Sequence, residues 1–181
     1  MSGRRKWFIL GALAVLAAEA AIMILLPVLV PARAGSPDSG NRVRCALDLK
    51  IIGQAIQLYR NENNAAYPPD LPTLVKNEPL TADIFICPST KTHLPQYFPA
   101  QHSAEWVNIH SDYLYICPIG YVTPPADSVI IYEKNSNHGG DGMNILFADD
   151  SVQFYDLPMA HEEIERTKKA IALQSAASTQ P

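Results

Sequence analysis

Apolar and polar positions change their period along this chain, and each change predicts a different element. From Phe8 to Leu26, nineteen residues are apolar or small except Glu19, with no polar face, and they follow a basic start at Arg4, Arg5 and Lys6. That is close to the ~20 residues a helix needs to cross a bilayer core. The basic flank stays in the cytoplasm, so everything after Pro31 is expected outside it. Ala32-Arg33-Ala34 has the small-x-small form that a signal peptidase reads, but the apolar run exceeds an ordinary signal core, which favours a retained anchor over a cleaved one. Glu19 is a costly residue in such a segment and reads either as an intramembrane contact or as a tolerated polar position.

From Arg42 to Asn63 the period changes. Cys45, Leu49, Ile52, Ile56 and Tyr59 recur at spacings of four and three, the stripe of an amphipathic helix, widened by Leu47, Ile51, Ala55 and Leu58. A Gly/Ser/Pro/Asp stretch precedes it and reads as a linker over residues 32–41. The prolines of Tyr67-Pro68-Pro69-Asp70-Leu71-Pro72 end the helical pattern. The middle is proline-rich, with Ile84-Phe85-Ile86-Cys87 and Tyr113-Leu114-Tyr115-Ile116 as its strand candidates, each closed by Cys-Pro. Thr92 to Ser111 has little pattern and reads as a long loop.

Period-two patterning arrives last. Val129 to Tyr132 is a short apolar strand, and the runs on either side of Asp149-Asp150 alternate. A two-residue loop at those aspartates opposes Phe147 to Val152 and Ile145 to Phe154, placing the four on one face. Met159 to Gln174 closes the fold as a helix with acidic residues early and lysines late, matching its dipole, and Ser175 to Pro181 reads as a disordered tail. The pattern predicts an α+β fold, with an N-terminal membrane helix and an amphipathic helix on an antiparallel sheet that ends in a C-terminal β-hairpin. The expected organisation is an anchor over 1–31, the linker, a folded domain over 42–174 and the tail.

Two groups of residues resemble a known family. The first is Tyr-Glu-Lys (132–134), Asn-His-Gly-Gly (137–140), Met-Asn-Ile-Leu-Phe-Ala-Asp (143–149) and Ser-Val-Gln-Phe (151–154). The second is Arg44-x4-Leu49-Lys50-x-Ile52-Gly53-x-Ala55-Ile56-x2-Tyr59, closing on Tyr67-Pro-Pro-Asp-Leu. Both are similar to bacterial prepilin-type proteins related to type IV pilins and type II secretion pseudopilins, whose C-terminal signature is a His, nine residues, then Asp-Gly. Here His138 and Asp149 are separated by ten residues, and Asp150 replaces the Gly. The resemblance makes His138, Gly139, Asn144, Phe147 and Asp149 structural signature residues. It implies a pilin-like fold and a single-pass protein of the bacterial inner membrane with a periplasmic domain. Its role would be structural or in assembly within a secretion or pilus-like system, with the membrane and other pseudopilins as partners. The N-terminus lacks the family's Phe-Thr-Leu-x-Glu-like start, and Pro27, Pro31 and Pro37 interrupt one unbroken helix.

Composition and candidate chemistry alter this picture little. The formal charge is -4 and three of the fourteen basic residues lie in the cytoplasmic start, which excludes a nucleic-acid partner. Three cysteines in an exported chain predict one disulfide. Cys87 is its expected member, paired with Cys117 as the mirror Cys-Pro strand end or with helical Cys45. No Cys-x-x-Cys is present to mark a zinc knuckle or redox pair. Asp141, Asp149 and Asp150 are calcium candidates by ligand type, but no calcium-loop motif accompanies them and Asp and Gly also serve turns, so no cofactor is expected. His138 has no Ser or Cys nucleophile motif beside it, so no enzyme is expected and the residue reads as fixing the turn before the hairpin. The alternative is a tethered binding or hydrolytic domain that uses His138 and the 92–111 loop, which requires an enclosed pocket beside His138.

Overall fold

The computed structural model describes residues 37–116 and 124–178, with Glu19 alone before them. The predicted anchor apart from Glu19, residues 32–36 of the predicted linker and Cys117 lie outside these residues. Among the described residues no helix is long and apolar enough to cross a membrane.

The first helix, α1 (Pro37–Glu62), begins inside the stretch read as a linker. Proline suits a first turn because its fixed φ is already helical and its missing N–H has no partner to lose there, and Asp38 follows it in the acidic first turn. The predicted stripe is the buried face: Cys45, Leu49 and Ile52 are wholly buried and Ile56 nearly so. The widening residues divide, since Ala55 is buried whereas Leu47, Ile51 and Leu58 are exposed.

Two short helices were not legible in the proline-rich middle. Helix α2 (Leu71–Asn77) starts on Asp70, whose carboxylate accepts from the Thr73 N–H at 2.7 Å, and carries Pro72 in its first turn. Helix α3 (Ser103–His110) follows a 3₁₀ turn over Ala100–His102, inside the stretch read as loop. The strand expected at Ile84–Cys87 is instead a 3₁₀ turn over Ala82–Phe85. It buries Ile84 and Phe85 in succession, which the alternating faces of a half-buried strand would not do.

The sheet is a four-stranded antiparallel meander in the order β1 (Tyr113–Tyr115), β2 (Val129–Glu133), β3 (Met143–Phe147) and β4 (Val152–Tyr155). The hairpin is real, but its register is one residue away from the predicted one. Leu146 faces Val152, Ile145 faces Gln153 and Asn144 faces Phe154. The loop is therefore three residues, Ala148-Asp149-Asp150, with Asp150 at φ 67° and its N–H donating to the Phe147 carbonyl at 3.0 Å. Only one position needs positive φ in this loop, whereas the tight two-residue turn needs two, and two aspartates tolerate the former better.

The slip splits the four residues expected to share a face. Ile145 and Phe147 join Val129 and Met143 against Ala160 and Ile164 of the last helix, α4 (Leu157–Ser178). Val152 packs with Leu146 on the opposite side, in the larger core built by Cys45, Leu49, Ile52, Ile56, Leu71, Leu74 and Phe85. Helix α4 extends past Gln174 into the segment read as tail. The fold is thus α+β, and β3 is buried along its whole length because helices cover both faces of the sheet.

Candidate functional site

The site is built where the start of α1 meets the end of β2 and the turn before β3. Residues Asn137–Gly140 form a 3₁₀ turn in which His138 (φ 54°) and Gly139 (φ 68°) are both left-handed. Gly139 takes that conformation freely, but His138 holds it against a steric penalty of about 1 kcal/mol or more. The side chain is what holds it. The imidazole has no exposed surface.

Each ring nitrogen of His138 faces a carboxylate. Nδ1 lies 3.0 Å from Asp38 Oδ1, and Nε2 lies 3.0 Å from Glu133 Oε1. Asp38 also accepts from Ser89 Oγ at 2.7 Å and from Arg42 Nε at 2.7 Å, while Arg42 reaches Asp141 at 2.8 Å and stacks over the Phe154 ring. Glu133 is wholly buried and its Oε2 accepts from the Asn144 backbone N–H at 2.6 Å and from Asn144 Nδ2 at 3.2 Å. Asn144 Nδ2 also donates to the Arg42 carbonyl, which ties β3 to α1. Burial pushes Asp38 up, but the hydrogen bonds from Ser89, His138 and Arg42 outweigh it and hold the carboxyl down at about 2. Burial likewise disfavours a charged His138, yet the Glu133 carboxylate and then Asp38 outweigh it and raise the imidazole above its ordinary value.

Two cysteines complete the cluster. Cys45 on α1 and Cys87 after the 3₁₀ turn are both free and wholly buried, with sulfurs 3.1 Å apart, and Cys87 Sγ lies 3.8 Å from His138 Nε2. Asp112 positions Cys87: its carboxylate accepts from the Cys87 N–H at 3.0 Å and from the Thr90 and Thr92 hydroxyls. The contact with Cys87 and burial push the Cys45 thiol up. The hydrogen bond from Cys45 outweighs burial at Cys87 and holds that thiol down. The pair shares its acidity unequally.

Of the residues singled out from sequence, His138 and Asn144 come together here. Gly139 supplies the turn beside them, and Phe147 packs edge-to-face on Tyr155 at 6.1 Å on the α4 side. Asp149 caps the hairpin loop by accepting from the Ser151 N–H at 2.9 Å. The calcium candidates are not brought together. Asp141 precedes β3 and pairs with Arg42, whereas Asp149 and Asp150 follow β3, and Asp150 pairs with Lys50 of α1. Five strand residues separate these ends, roughly 17 Å of chain. The Cys87 partner inside the described residues is Cys45; Cys117 lies outside them.

Glu133, Asp38 and Ser89 were missed; Cys87 was read as a disulfide member with Cys117 or Cys45 as its partner, and Cys45 also as part of the helix stripe. The Tyr-Glu-Lys order contained Glu133, but an inward-facing glutamate at the end of an apolar strand was the only local signal. The cleft that borders the 92–111 segment has a volume of about 370 Å³ and is lined by Arg44, Asp48, Ile86, Pro88, His93 and Leu94 among others. His138 is not on its wall. No protein-family model, curated protein or solved structure matches the chain.

Proposed function

We propose that this chain is a membrane-anchored extracytoplasmic domain of pseudopilin-like type, with a structural or assembly role in a type II secretion or type IV pilus-like system and no catalytic activity. The anchor reading rests on the apolar run from Phe8 to Leu26 and its basic flank. The family reading rests on the two residue patterns around Arg44–Tyr59 and Tyr132–Phe154.

One observation supports the non-catalytic role above the tethered-enzyme alternative. The signature histidine has no exposed side-chain surface and is clasped between Asp38 of the N-terminal helix and Glu133 of the sheet. A general base must reach the proton it removes. His138 instead joins the helix to the hairpin region, as a structural signature residue does. The hairpin tip also packs closely on α1: a Cβ on Gly53 would collide with Asp150 Oδ1 and lie 3.1 Å from Leu146.

The full chain carrying a C-terminal reporter that is active only outside the cytoplasm tests the first half, and membrane fractionation is expected to leave it in the inner membrane. Photocrosslinkers at the exposed α1 residues Val43, Leu47 and Leu58 test the second half in the source cell. Crosslinks to a second copy or to another anchored pilin-like protein are expected. A cytoplasmic reporter, or crosslinking to neither, overturns the proposal.

A further inference from the structure

Four buried side chains, two thiols, a carboxylate and an imidazole, converge at one point. Cys45 comes from α1, Cys87 from the turn after Phe85, Glu133 from the end of β2 and His138 from the turn before β3. One donor atom from each lies within 4.8 Å of all the others, and all four residues are buried. We propose that these four residues form a zinc site that fastens α1 to the sheet.

The donor set selects the metal. Two thiolates, an imidazole and one carboxylate oxygen make a four-donor set of borderline softness, suited to Zn²⁺ and unsuited to Ca²⁺ or Mg²⁺, which take oxygen ligands. Bond lengths of about 2.3 Å to sulfur and 2.0–2.2 Å to nitrogen or oxygen put neighbouring donors of a tetrahedral site roughly 3.3–3.8 Å apart. The cluster shows 3.1 Å between the sulfurs, 3.8 Å from Cys87 Sγ to His138 Nε2 and 3.0 Å from that nitrogen to Glu133 Oε1. The sulfurs must part by about 0.7 Å and the nitrogen and oxygen by a few tenths, while the widest of the donor pairs, all within 4.8 Å, must close by up to about 1 Å.

The surrounding hydrogen bonds leave the right atoms free. Asp38 engages Nδ1 of His138, the carboxylate–histidine arrangement that fixes a metal-bound ring with Nε2 directed at the ion. Asn144 occupies only Oε2 of Glu133, so Oε1 remains for one bond to the metal. In the metal-free chain a proton on Nε2 bridges it to Oε1 at 3.0 Å, and a zinc ion would take that proton's place between the two lone pairs. Binding Zn²⁺ displaces the two thiol protons and the Nε2 proton of His138 to solvent. Four protein donors close the coordination sphere, the form of a structural site with no position left for substrate.

The test uses the full chain in detergent, purified under reductant, stripped with chelator and titrated with Co²⁺. One Co²⁺ per chain is expected, with the thiolate-to-cobalt charge-transfer band and the intense visible bands of a tetrahedral site, all displaced by one Zn²⁺. Cys117→Ser is expected to retain the spectrum, and Cys87→Ser to lose the thiolate intensity at Cys87. Asp38→Asn, a change in a positioning residue, is expected to weaken Zn²⁺ binding about 10–100-fold while keeping the tetrahedral spectrum. If the reduced chain takes up no Co²⁺, or takes it up without a thiolate band, the proposal is overturned. A metal-free Cys45–Cys87 disulfide in chain recovered from the extracytoplasmic compartment overturns it as well, and mass spectrometry of peptides alkylated before and after reduction reads that outcome directly. The unmodified chain carries the titration, so a variant that fails to fold does not decide the matter.

Discussion

The two faces of the sheet are held by different means. On the α4 side the contact is a small apolar cluster, Val129, Met143, Ile145 and Phe147 against Ala160 and Ile164, with a buried hydrogen bond from the Val129 N–H to Thr167 Oγ1 and exposed polar contacts from Arg166 to Asp127 and from His161 to Asn135. On the α1 side a larger apolar core is interrupted by a polar knot of half-buried Asp38 with buried Glu133, His138, Asn144 and the two cysteines. Apolar burial is non-directional and tolerates sliding, but hydrogen bonds between buried groups fix one arrangement and are expensive to leave half made. The α1 face therefore sets the geometry of the domain, and the α4 face adds burial to it.

The hardest break of that contrast is Glu133→Ala, which leaves His138 buried opposite a missing charge. It is expected to lower unfolding stability by about 3–5 kcal/mol in a denaturant titration. A loss under about 1 kcal/mol would show that the knot holds nothing. Ile164→Ala on the other face removes packing alone and should remove about 2–5 kcal/mol. Its distinguishing mark is that the α1-side groups stay intact, so thiol protection of Cys45 and Cys87 against alkylation should be unchanged under native conditions, whereas Glu133→Ala should expose both.

Between these extremes lies the closest approach of helix and hairpin. Gly53→Ala favours an isolated helix by about 1 kcal/mol, yet here its Cβ collides with Asp150 Oδ1. A net loss of about 1–3 kcal/mol is expected from the overpacking. Asp150→Gly removes the colliding atom and relaxes the positive φ, at the expense of the Lys50 pair. In a double-mutant cycle the two changes should together be less damaging than their sum, and strict additivity would rule out the contact.

The smallest effect belongs to the cap of α2, at the edge of the α1-side core. Asp70→Ala should lose about 1 kcal/mol. Hydrogen bonds from the Thr73 side chain and backbone hold the Asp70 carboxyl below its ordinary value. A depressed carboxyl contributes stability above its unfolded pKa and loses it as the pH falls through the folded value. The difference between wild type and variant should thus be complete at neutral pH and shrink below about pH 3.9. A difference that grew on acidification would contradict the cap.

Periodicity alone was enough for the helix stripe of Cys45, Leu49, Ile52 and Ile56, because a helix that packs on one side must repeat its apolar residues near 3.6. It was enough for the existence of the hairpin too, and for the α+β class. Register was beyond it. Met143 to Phe147 is buried on both faces, so alternation carries no information there, and Asp149-Asp150 fits a loop of either length until the ladder selects one. The short helices α2 and α3 escaped because a first-turn proline looks like a breaker and eight residues hold barely two turns of pattern. Cys45, Cys87, Glu133 and His138 belong to four separate segments with no local spacing between the first three. Their convergence was decided only when α1 crossed the sheet, since side chains far apart in sequence acquire a common chemistry only through the packing that brings their backbones together.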